Sequence, residues 1–139
     1  MYAPSFRLKC FETISDTKKF GVMHFLLEGL IMANVAYLLD NPNTPPLYSA
    51  GVRYEVEPEG RDEWQDIPDT LMRRTGDCED LACWRVAELR VKGGEPEATT
   101  HISVSTIPAQ SGTLQTVYHI TVRRADGRIE DPSRRLGMR

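Results

Sequence analysis

The 139-residue chain has only three cysteines, Cys10, Cys78 and Cys83. They are too few and too unevenly spaced for a disulfide framework, which points to folding in a reducing compartment. Its three histidines stand apart, with no CxxC, HxxxH or HExxH pair. The spacing from Cys78 to Cys83 is not one that zinc uses, so neither a metal nor a cofactor is expected. Basic residues occur as the pairs Arg73-Arg74, Arg123-Arg124 and Arg134-Arg135 rather than as a run, and the net charge is -3. That balance gives no electrostatic footprint for nucleic acid. No internal repeat or low-complexity segment is present. The first residues lack the ordered basic start, apolar middle and small-residue cleavage site of a signal peptide, so cytoplasmic synthesis is expected, with later incorporation into a particle or release by lysis left open.

What is present fits one domain, residues 1-139, with a core of ordinary size. The run from Gly21 to Leu39 is apolar and about as long as the shortest spanning helix. His24 and Glu28 fall one turn apart within it, and Met23, Leu26, Leu27, Leu30, Ile31 and Leu38 form a stripe at helical spacing. A core helix rather than a membrane span is expected, started by Ser15-Asp16-Thr17 and stopped at Asn41-Pro42, which makes residues 1-40 the helical part. Residues 40-51 are rich in turn formers and predict a long loop, serving either as a groove wall that offers Tyr48 or as a plain connector. Val52 to Val56 alternates like an edge strand or a flap. Asp66 to Arg74 predicts a short helix with Pro68 in its first turn and Gly76 closing it. A second helix starts at once with Cys78, Leu81, Ala82, Val86 and Leu89 on one side, and Gly93-Gly94 ends it. Only strands and turns are expected after that, so the fold class is α+β, with N-terminal helices packed on an antiparallel sheet.

The chemistry-bearing residues lie in this second half. Cys78 follows Gly76-Asp77 at the start of the helix, where unpaired N–H groups and the helix dipole favour a thiolate and a developing oxyanion. Asp77 is expected to cap the helix and Asp80 to return the bond. The carboxylates of Asp77, Glu79 and Asp80 oppose ionisation, so a cationic partner is needed, and His119 on the strand Val117 to Val122 is placed to supply it as an imidazolium. Asp131 joins them only in one hairpin register. A two-residue Asp126-Gly127 loop puts it on the face away from His119. A three-residue loop with left-handed Gly127 pairs Arg124 with Arg128, sets Thr121 opposite Asp131 and leaves His119 diagonal to it. The second register is expected, because it also gathers Tyr118, Ile120 and Val122 on the other face as core. Cys83 is expected to be a small buried hydrophobe, and His101 to lie with Ser103 and Ser105 on the more polar face.

The set Gly76-Asp77-Cys78-Glu79-Asp80-Leu81-Ala82, then His119, then Gly127-x-Ile129-x-Asp131-Pro132 resembles the core of transglutaminase-like cysteine proteins, over roughly Trp64 to the C-terminus. Trp64-Gln65-Asp66-Ile67-Pro68 and the stretch from Glu130 to Met138 also resemble a small variant of that superfamily encoded by tailed bacteriophages. The resemblance implies a papain-like catalytic core over about residues 61-139, with the nucleophile helix against the sheet that bears the histidine and the acid. It implies a Cys78-His119-Asp131 triad acting on a protein or peptide substrate by acyl transfer, with hydrolysis favoured over cross-linking. The oxyanion or substrate-groove candidates are Trp64, Gln65, Asp77 and Tyr48. The alternative is a non-catalytic structural or peptide-binding component of a phage particle, with phage structural proteins as partners.

Overall fold

The structure is a computed structural model that describes residues 15–57 and 63–139. Cys10 lies outside them, as does the end of the expected edge strand at Pro58 to Gly60. The helix α1 runs Asp16–Asp40, with Ser15 as N-cap and Asn41 as C-cap. A 3-10 turn at Leu47–Ser49 follows, then β1 at Arg53–Tyr54, α2 at Ile67–Arg73, β2 at Thr75–Gly76, α3 at Cys78–Val91, β3 at Thr99–Pro108, β4 at Leu114–Arg123, β5 at Ile129–Glu130 and α4 at Pro132–Arg135. The architecture is α+β, with an N-terminal helix and a three-stranded antiparallel sheet in the order β3-β4-β5, beside a two-residue parallel pair of β1 and β2.

The long helix α3 is the centre of the molecule. Apart from Arg85, every residue from Asp80 to Leu89 is buried. One side of it packs Ala82, Cys83, Val86 and Leu89 with Leu27 and Ile31 of α1 and with Ile102, Ile120 and Val122 of the sheet. The other side packs Leu81, Trp84 and Ala87 with Leu38, Leu47, Val52 and Ile67. Cys83 has no exposed surface, and its thiol points to the carbonyl of Leu27, as expected of a small hydrophobe.

Two expectations from the sequence need correction. Gly76 does not close α2. That helix ends on Arg74, a non-glycine residue at φ 62, and Gly76 belongs to β2. The glycine serves close approach instead: a Cβ there would lie 3.1 Å from the Asp80 Cβ and 3.3 Å from side-chain atoms of Leu81 and Thr70. The part after α3 is also not strands alone, because Asp131 N-caps α4 and Pro132 takes its first position, where the missing N–H costs nothing. The loop after α1 is tied down rather than open. Leu47 is fully buried, and its N–H donates to Glu88 of α3.

The β4–β5 turn settles the register. Val122 pairs with Glu130 and Arg123 with Ile129. The Arg124 N–H donates to the Arg128 carbonyl at 2.8 Å, and Gly127 sits at φ 90. This is the three-residue loop with its left-handed glycine, and the alternation it fixes buries Ile120 and Val122 while sending His119 and Thr121 to the other face.

Candidate active site

The start of α3 is a tightly bonded corner. Asp77 is the N-cap: its side chain accepts from the Asp80 N–H, and the Asp80 carboxylate accepts from the Asp77 N–H at 3.1 Å, the reciprocal pair expected from the sequence. Gln65 completes the corner. Its N–H donates to Asp80 Oδ1 at 2.7 Å, and its side-chain amide donates to Asp80 Oδ2 at 3.2 Å and to the Thr75 carbonyl at 2.9 Å. Gln65 is buried and its donors are occupied, so it holds the helix start rather than presenting a free donor to an oxyanion. Trp64, half-buried, packs against the same core cluster as Cys78.

Cys78 occupies the first position of α3, half-buried. Its thiol donates to Glu79 Oε2 at 3.3 Å. The backbone N–H of Ile120 also reaches the sulfur and favours the thiolate. That N–H belongs to β4 beyond the last residue paired with β5, so α3 brings the Cys78 thiol to an unpaired stretch of strand edge next to His119. Burial first, then the Glu79 and Asp77 carboxylates, push the thiol well above the ordinary cysteine range. The expected resting thiolate–imidazolium pair is therefore corrected: Cys78 rests as a neutral thiol bonded to Glu79, and among the described residues no hydrogen bond joins it to His119. The same corner traps protons on its acids. Burial and the neighbouring Asp77 raise Glu79, and burial and Asp77 raise Asp80 against the pull of its N–H donors, so both stay protonated well above the usual carboxylate range.

His119 Nε2 meets Asp131 Oδ2 at 2.8 Å, both side chains being partly buried. Asp131 is fixed from its other side as well, since its Oδ1 accepts from the Arg134 N–H as the cap of α4. With Nε2 held by the acid, Nδ1 is the ring nitrogen left for a proton in transit. Thr121 and Ser103 flank His119 on the same face by strand pairing. On that face too, His101 Nδ1 lies 2.8 Å from Arg123 Nη2.

Behind Asp131 lies a clamp that the sequence reading missed. Glu130 accepts from Arg85 Nε at 2.7 Å, from the Tyr48 hydroxyl at 2.6 Å and from Arg124 Nη1 at 3.0 Å. Arg85 also reaches Glu88, Arg124 also binds Glu95, and Arg135 stacks over the Tyr48 ring 4.0 Å from its centroid. Tyr48, offered above as a groove wall, thus belongs to the support of the acid. Arg85 follows Cys78 by two helical turns and Glu130 precedes Asp131, so one ion pair ties the helix of the thiol to the strand of the acid. Tyr54 was missed as well. Burial, then the charges of Cys78, Asp77, Glu79 and Asp131, raise its phenol, which keeps it a neutral donor beside the site.

The carboxylate oxygens of Glu57, Asp77 and Asp80 lie within 4.8 Å of one another. Both Asp80 oxygens already accept N–H donors, so the group caps a helix and is not an open ligand set. Comparison with family models, curated proteins and solved structures gives no match for this chain.

Proposed function

We propose that the chain is a thiol-dependent acyl-transfer enzyme of papain-like, transglutaminase-like arrangement that hydrolyses a peptide or amide bond. The observation that carries this reading is the His119–Asp131 bond of 2.8 Å on the strand whose Ile120 N–H meets the Cys78 sulfur. Because the thiol rests protonated, attack and proton transfer are concerted. The sulfur bonds to the carbonyl carbon as the S–H proton passes to the imidazole, and Asp131 stabilises the cation that forms. The imidazolium then protonates the leaving nitrogen as the C–N bond breaks, leaving a thioester. Water attacks the thioester, gives its proton to His119 and releases the acid with the thiol restored. The Ile120 N–H and the Cys78 N–H at the first position of α3 are the donors for the oxyanion, and the neutral Tyr54 phenol is a third. The partner is a protein or peptide substrate.

One observation favours the alternative of a non-catalytic, peptide-binding or structural component, with phage structural proteins as partners: the thiol bonds to Glu79 and not to His119. Incubation with a mixed peptide pool, read by mass spectrometry for new termini and for carboxamides converted to acids, separates the two. Turnover that vanishes in Cys78→Ala supports the enzyme. No turnover supports the alternative, and turnover unchanged in Cys78→Ala refutes the role given to Cys78.

A further inference from the structure

The helix α1 buries one face and leaves a second apolar face open. Leu27, Ile31, Asn34 and Leu38 point inward and are buried. On the opposite side Phe25, Met32 and Leu39 are 78%, 52% and 65% exposed, with Gly29 and Ala36 exposed between them. A continuous apolar stripe of this length signals an interaction surface.

The stripe has its own period. Val22, Phe25, Gly29, Met32, Ala36 and Leu39 are separated by three and four residues in alternation, the 3.5-residue repeat of a coiled-coil seam. Size alternates with it, the larger side chains at 25, 32 and 39 facing smaller ones at 22, 29 and 36. Among the described residues Gly29 has no packing role, since a Cβ there would meet nothing within 4 Å. A glycine in mid-helix nevertheless costs about 1 kcal/mol against alanine.

We propose that this face of α1 packs antiparallel against the α1 of a second copy of the chain, about a two-fold axis. A parallel pair would set Phe25 on Phe25 and Gly29 on Gly29, so that crowded layers alternate with voids. The antiparallel pair sets Met32 over Gly29 of the other copy, Phe25 over Ala36 and Leu39 over Val22, and symmetry makes each contact twice. Gly29 and Ala36 then let the two backbones approach. Charge points the same way. Lys18 near the start of α1 and Asp40 at its end each sit by a helix terminus of their own sign, with no basic residue in the last turn. Antiparallel alignment brings Lys18 of one copy to Asp40 of the other. A membrane is the competing occupant, because α1 is long and apolar enough to cross one. The inward face, packed on α3 with Glu28 paired to Arg90, favours a protein partner for the outward stripe alone. This inference stands apart from the chemistry of Cys78.

Sedimentation equilibrium of the full chain over a range of concentrations tests it. The expected mass rises toward twice 15.7 kDa. Met32→Glu and Gly29→Met each weaken association by about tenfold or more while the far-ultraviolet circular dichroism is unchanged, and Gly29→Met combined with Met32→Gly restores it by exchanging large for small. A chain that stays at 15.7 kDa overturns the proposal, whether or not it floats with phosphatidylcholine vesicles. So does a dimer indifferent to Met32→Glu, or one that the exchanged pair fails to restore.

Discussion

Glu79 adds to burial in keeping the Cys78 thiol neutral. Its carboxyl takes the Cys78 S–H and, with burial and Asp77, keeps the thiol neutral at rest. Glu79→Gln retains a hydrogen-bonding group and removes the charge that Glu79 acquires only as pH rises past about 9. The thiol should then ionise more readily on the alkaline side, and iodoacetamide should alkylate Cys78 several-fold faster there, with little change at neutral pH, read in a Cys10→Ser/Cys83→Ser background. An unchanged rate would mean that burial alone sets the thiol. Cys78, His119 and Asp131 were legible in the sequence because each carries a local signal: a helix start after Gly-Asp, a strand histidine at a fixed distance from a turn glycine, and an acid before a proline. The protonation state was not legible, since it depends on how deeply the corner is buried, and helix-dipole reasoning alone points the other way.

At the scale of elements, the proposed chemistry needs α3 and β5 to hold still relative to each other, so that the thiol and the acid can serve one imidazole. The Arg85–Glu130 pair is their direct tie, with side chains 20% and 14% exposed. Arg85→Ala leaves the Glu130 charge with Arg124 and Tyr48 only. A loss of about 2 kcal/mol is expected in urea denaturation, somewhat below the range for a fully buried pair because both groups keep some solvent. Any turnover should fall more than stability does, as Asp131 loses its support; unchanged turnover would separate the clamp from the site. The clamp was hidden in the sequence because its members come from residues 48, 85, 124 and 130, brought together only by the tertiary fold. The helices and the hairpin register were legible from caps, periodicity and the Ala125-Asp126-Gly127 turn. The end of α2 was misread because a glycine six residues past Thr70 resembles a helix stop, whereas close packing under Asp80 is what requires it.

For the whole molecule, the acid corner makes stability depend on pH in an unusual direction. Glu79 and Asp80 hold their protons in the folded state well above the value of roughly 4 that they take in the unfolded chain. A raised carboxyl stabilises fully below its unfolded pKa, and that contribution is lost as pH rises through the folded value. The urea midpoint should therefore fall from mildly acid to mildly alkaline pH, and the fall should be smaller in Glu79→Gln. A midpoint that climbs over this window would show that the corner ionises freely. A three-stranded sheet, one strand of only two residues, holds His119 within hydrogen-bonding reach of Asp131, and acyl transfer at Cys78 is the case to test.

The most direct test of that case is the reaction of the full chain with p-nitrophenyl acetate, followed by the burst of p-nitrophenol and by mass spectrometry of the Cys78 peptide. The account predicts a burst of one equivalent per site and an acetyl group on Cys78. In His119→Ala the burst should be slower by roughly 10²-fold or more. A steady release with no acyl group on Cys78, or a burst equally fast in His119→Ala, would contradict it.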